Sequence, residues 1–122
     1  MPQIKTASLY ESLEFNPDRP TVKVLFETPF TKEIRIALKK GQELKEHKTS
    51  FPIVVNIVEG NINFGLSAER IQLRKGDLIA LEGNVPHDLV AVEESIVRLT
   101  LSLHDTTDRV KNVAEQKTGI KK

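Results

Sequence analysis

The chain has 122 residues, with 18 Lys and Arg against 17 Asp and Glu, a length that suits one domain and a balance too even to steer nucleic acid or an anionic membrane surface. It contains no cysteine, which removes disulfides, thiolate nucleophiles and cysteine-bound zinc together, so any metal would be held by nitrogen or oxygen. The opening MPQIKTASLYESLEFN lacks the apolar run of a signal peptide, and no stretch approaches the roughly eighteen apolar residues of a membrane helix; the expectation is a cytoplasmic protein whose partners are a small molecule or another protein.

Residues 1–20 read as an N-terminal extension. Ser8 followed by Glu11 fits a capping box for a short helical turn through Leu13, which Asn16-Pro17 and Pro20 would end. From Thr21 the chain alternates with the period of two that marks half-buried strands. Val22, Val24 and Phe26 share one face of a first strand, and Ile34, Ile36 and Leu38 share one face of a second, so each is expected to bury one side only. Ile53 to Val58 is nearly continuous in apolar residues, the pattern of a strand covered on both faces, and Gly60-Asn61 turns it into Ile62 to Leu66. Arg70 to Arg74, Leu78 to Leu81, His87 to Val92 and Ile96 to Leu103 complete the series. Many short strands with frequent turn signals give an all-β sandwich or closed barrel over 21–104. Beyond it, Asp105 can serve as an N-cap, and Val110, Val113 and Ala114 fall at helical spacing, so 105–122 is expected to form a short helix with a frayed tail.

Two histidines stand in glycine frames. The first frame runs from Gly41 through His47, Thr49 and Ile53 to Gly60, and the second from Gly76 through Glu82, Asn84 and His87 to Ala91. Both spacings resemble the two motifs of the cupin family, which implies a cupin-type double-stranded β-helix, or jelly-roll barrel, here with short terminal helical segments. The first motif carries two histidines and a glutamate, and the second carries one histidine. On this chain the resemblance leaves His47 and His87 as candidate metal ligands, with Thr49 and Ile53 where the motif has His and Glu. The glycines at Gly41, Gly60 and Gly76 fall where strands must reverse, and glycine tolerates the positive φ such turns need. Gly83, beside Asn84 at a position where the motif has glycine, is expected to supply the flexibility of its loop.

Strand geometry then sorts the side chains, because residues two apart point to one face. His47 and Thr49 face together, as do His87, Leu89 and Ala91, and as do Ile53, Val55 and Ile57. If the frame holds, these faces line one apolar pocket with two imidazoles and a hydroxyl, the make-up of a small-molecule site. Asp88 adjoins His87 and points away as a surface carboxylate. Glu43 reaches the interior only if its strand stays straight, and His104 is a reserve ligand at the end of the last strand. Phe51-Pro52 reads as packing between strand and loop, with a pocket lid as the alternative.

Three functions follow in order. The first is a small-molecule-binding cupin, non-catalytic or weakly metal-dependent, and homodimeric as members of the family often are. The second is a metal-dependent oxygenase or isomerase using His47 and His87 with manganese, iron, nickel or zinc, which would need a third ligand beside them. The third is a structural or regulatory cupin whose cavity its own side chains fill.

Overall fold

The computed structural model describes residues 3–103. Nine strands follow in chain order: β1 (Thr21–Glu27), β2 (Thr31–Leu38), β3 (Glu43–His47), β4 (Ile53–Glu59), β5 (Asn61–Gly65), β6 (Arg70–Arg74), β7 (Leu78–Leu81), β8 (His87–Ala91) and β9 (Ser95–Ser102). They form two antiparallel sheets, one of five strands in the order β1-β2-β9-β4-β7 and one of four in the order β3-β8-β5-β6. The expected C-terminal helix and His104 lie outside the described residues.

The core is the space between the sheets. Ile34, Ile36 and Leu38 of β2, Ile53, Val55 and Ile57 of β4 and Val97 of β9 face Ile62 and Phe64 of β5, Leu73 of β6 and Leu89 and Ala91 of β8. Rows run straight across the larger sheet through opposed residues, one through Val24, Ile34, Leu99 and Val55 and the next through Val22, Ile36, Val97 and Ile57. Opposed residues share a face, so each row is one stripe of the inner side, buried or partly buried from β2 inward, while Val22 and Val24 at its β1 end are exposed.

Two strands trade the burial their sequences suggest. β2 is buried on both faces from Glu33 to Leu38, because residues of the N-terminal extension lie against its outer side. The Arg35 guanidinium there donates to the carbonyls of Leu9, Glu11 and Ser12, at 3.3, 2.9 and 3.3 Å. β4, whose apolar run suggests cover on both faces, leaves Val54 exposed on its outer side. On β1 a register shift between Val24 and Phe26 sets Phe26 opposite Glu33, so Phe26 leaves the face that Val22 and Val24 share with Ile36 and Ile34.

The expected helical turn at Ser8 is a β-turn instead. Ser8 Oγ accepts from the amides of Tyr10 and Glu11, Leu13 N–H donates to the Tyr10 carbonyl at 3.2 Å, and Ser12 turns out of the helical region at φ 55°. With Ser12 left-handed, the turn cannot propagate as a helix. Among the described residues there is no helix and none long and apolar enough to cross a membrane.

Gly41, Gly60 and Gly76 all have positive φ. Gly60 is doubly constrained, because a Cβ there would run into Ser95 and the Glu94 carbonyl. In the β7–β8 loop the left-handed residue is Asn84, at φ 67°, rather than Gly83. Gly83 is required for another reason, since a Cβ on it would meet the Ser50 carbonyl. Asparagine tolerates the left-handed region better than most residues.

Candidate functional site

His47 ends β3 and His87 begins β8, and the two are directly opposed across the strands. Their ring centroids are 4.4 Å apart with the planes tilted by 59°. His87 is 4% exposed and stacks on Phe64 at 5.7 Å with the rings nearly parallel. His47 is exposed, so the pair runs from the core to the surface.

Both imidazoles are anchored in the same way. Nδ1 of His47 lies 2.8 Å from the Lys45 carbonyl, and Nδ1 of His87 lies 2.9 Å from the Val85 carbonyl. A carbonyl oxygen only accepts, so each Nδ1 carries the hydrogen and donates. Each neutral ring therefore keeps Nε2 as a free lone pair. This arrangement, two carbonyl-oriented rings with uncommitted Nε2 atoms, is the one in which histidine accepts a hydrogen bond or binds a metal.

The space beside them is small. His47, His87, Leu44, Phe64, Leu89 and Val55, with Ile36, Val97 and Leu99, enclose about 20 Å³, enough for about one water-sized group. Of the residues expected to line a pocket, His47, His87, Val55 and Leu89 meet here. Ala91 is buried elsewhere in the core. Thr49 lies past the end of β3, where its hydroxyl donates to the Phe51 carbonyl at 2.9 Å and its own carbonyl accepts from Asn84 N–H at 2.7 Å. Ile53 lies at one end of a different, open depression of about 900 Å³, lined also by Ser50, Pro52, Val54, Glu82 and Asn84. Pro52 therefore stands beside that depression and not over the imidazoles.

Leu44, Phe64 and Leu99, with Ile36 and Val97, are the lining residues that the motif spacing did not single out. Leu44 escapes period-two reasoning because β3 shifts register between Leu44 and His47. The bulge also breaks the straight path Glu43 would need, and Glu43 is exposed. Asp88 points away from the pair as expected and accepts from both terminal nitrogens of Arg70, at 3.1 and 2.6 Å. Those hydrogen bonds hold its carboxyl below the usual carboxylate range, against the opposing effect of burial.

Two antiparallel sheets closed over one core recur among solved structures. An RmlC-like cupin from Desulfovibrio desulfuricans superposes with a TM-score of 0.76 at 23% identity, covering 82% of this chain and 97% of that one. The chain has the cupin fold. A double-stranded β-helix protein from Klebsiella pneumoniae superposes at TM-score 0.74 and 16% identity, covering 82% of this chain and 90% of that one. KdgF from Halomonas sp. does so at 0.67 and 20%, covering 75% and 86%. No family model matches the chain, and no curated protein matches it. At these identities the likeness is one of cupin fold alone.

A resident catalytic metal does not fit the cupin site as this chain fills it. Such a metal takes three protein ligands and keeps one position open. Here two imidazoles converge, and among the described residues no group of three or more His, Asp or Glu side chains could hold an ion. The rest of the lining is aliphatic or aromatic.

Proposed function

We propose that this chain is a non-catalytic cupin that binds a small molecule through His47 and His87, accepting hydrogen bonds from a hydroxyl or amine of the ligand. The observation that carries the reading is the shared anchoring of the two rings, with both Nδ1 atoms committed to backbone carbonyls and both Nε2 atoms left as acceptors. A space of about 20 Å³ admits one polar group and no more, so the body of the ligand stays outside, over the exposed His47. Among the described residues no acid or base other than the two imidazoles lines the space, which supports binding over turnover.

The competing reading is a structural cupin whose interior is simply filled, and the small cavity favours it. Ring-nitrogen NMR separates the two. Titration with glycerol, ethanolamine and zinc chloride should move the Nε2 resonances of both histidines for at least one probe, and His47→Ala should abolish the response at His87. Resonances indifferent to all three would leave the filled interior as the reading.

A further inference from the structure

The depression of about 900 Å³ beside Ile53 lies on the outer side of the larger sheet. Its floor follows the row Thr100-Val54-Ala80, whose members are opposed across β9, β4 and β7. Val54 faces outward where its neighbour Val55 faces the imidazoles, so β4 stands between the two spaces and no residue lines both. The volume falls in the range of sites that take small molecules.

Two loops raise the rim over this floor, β3–β4 with Ser50 and Pro52 and β7–β8 with Glu82 and Asn84. They are clamped together, because Asn84 N–H donates to the Thr49 carbonyl at 2.7 Å and Gly83 passes so near the Ser50 carbonyl that a Cβ would collide with it. The clamp uses only the backbone of Asn84, and at its φ of 67° glycine would be the less strained residue. An amide stands there instead. That amide, the Glu82 carboxylate and the Ser50 hydroxyl belong to exposed residues, and none of the three makes a side-chain hydrogen bond or ion pair among the described residues.

We infer that this depression binds a neutral polyhydroxylated compound, a saccharide whose aliphatic face rests on Val54, Ala80 and Pro52 and whose hydroxyls meet Ser50, Glu82 and Asn84. The three uncommitted groups select the ligand. A carboxylate only accepts hydrogen bonds, whereas an amide and a hydroxyl both donate and accept. An ammonium, which only donates, would leave the Asn84 amide N–H groups unanswered. An anion would meet Glu82, the one charged side chain among the described residues of the lining, with no Lys, Arg or His there to offset it. Hydroxyls answer all three groups at once, and the C–H face of a sugar ring suits an aliphatic floor. The inference does not depend on what the imidazoles bind.

Backbone-amide NMR tests this. Cellobiose, maltose, lactose and sucrose are titrated into the parent at millimolar concentration, with glucuronate as an anionic sugar and putrescine as a cation that only donates. At least one of the four saccharides should shift Ser50, Val54, Gly83 and Asn84 saturably and leave His47 and His87 in place, and glucuronate and putrescine should shift none of them. Asn84→Gly keeps the left-handed backbone and its N–H, so the spectrum should remain that of the folded chain while affinity for that saccharide falls about tenfold, as for one lost hydrogen bond. Glu82→Gln keeps the shape and removes the charge, and should admit glucuronate. No saccharide shifting these amides, shifts confined to the histidine pair, an Asn84→Gly chain that binds as the parent does, or glucuronate or putrescine matching the saccharide in the parent would each overturn the inference. A Glu82→Gln chain that still rejects glucuronate would overturn the selection by charge.

Discussion

Leu44 and His47 stand three residues apart on β3, and both face the interior, where a regular strand would turn them to opposite sides. The extra residue between them is absorbed by a bulge opposite β8, where Leu89 and His87 remain two apart. The bulge lets one short strand supply both an apolar plug and an imidazole to the same small space. It also turns Glu43 to solvent, so among the described residues the only titratable groups lining the space are the two rings.

The histidines should differ sharply in their contribution to stability. His87→Ala removes a buried ring stacked on Phe64 and leaves the Val85 carbonyl without its donor, which should cost about 2–4 kcal/mol. His47→Ala removes an exposed ring and should cost less than about 1 kcal/mol. Urea denaturation of both variants checks the ranking, and comparable losses would mean that the pair is one structural unit.

Arg35 should act as the clasp of the N-terminal extension. Its guanidinium satisfies three carbonyls from Leu9, Glu11 and Ser12 on the outer face of β2. Arg35→Ala leaves those carbonyls without that donor and should cost about 1–3 kcal/mol. The variant should also be cut in residues 3–20 by trypsin or chymotrypsin under conditions in which the parent is not. Unchanged cleavage there would show that Gln42, which donates to the Asn16 carbonyl at 2.7 Å, and the Tyr10–Glu59 hydrogen bond hold the extension without it.

Acid should weaken the fold through Asp88. Its carboxyl is held low in the folded state, chiefly by the hydrogen bonds from Arg70, so its contribution is complete above the unfolded value of about 3.9 and is lost as pH falls through the folded value. The stability difference between parent and Asp88→Asn should be constant from neutral pH to about pH 5 and shrink below about pH 4. Denaturation midpoints across that range measure it. A difference that grows on acidification would contradict the pairing.

Much of the fold was legible because its signals are local. Alternation places β1, β2 and β4 to β9, β3 being implied only by the histidine frame, and the positive φ at Gly41, Gly60 and Gly76 answers to glycines at the strand reversals. The opposition of His47 and His87 follows from the same frame. What escaped was set by non-local partners. Nothing in TKEIRIAL announces that its outer face is covered, because the cover is made of carbonyl groups from residues 9–12, which any residue carries. In IVVNIVE the apolar run hides that Val54 stays exposed on the outer side. The bulges at Leu25 and between Leu44 and His47 shift the facing of Phe26 and Glu43, and a pattern of strict alternation has no place for either.

The sharpest consequence concerns where a third ligand would have to stand. By spacing alone Thr49 and Ile53 occupy the vacated ligand positions, yet neither lines the space beside the imidazoles, and Val55 does. Val55→Glu should therefore bring a carboxylate to the two Nε2 atoms and complete a set of the kind divalent metals take. Without metal, that buried carboxylate should destabilise the fold by several kcal/mol, on the order of the cost of an unpaired polar group in an apolar site. Zinc or nickel at a hundredfold excess over its dissociation constant should return about 2.7 kcal/mol, because the ion binds only the folded chain. Thr49→His with Ile53→Glu should lose comparable stability and recover none of it at the same metal concentration. Melting temperatures of the parent and both variants, with and without metal, decide the matter. Recovery in the Thr49 and Ile53 variant and none in Val55→Glu would place the convergence of side chains at the motif positions instead.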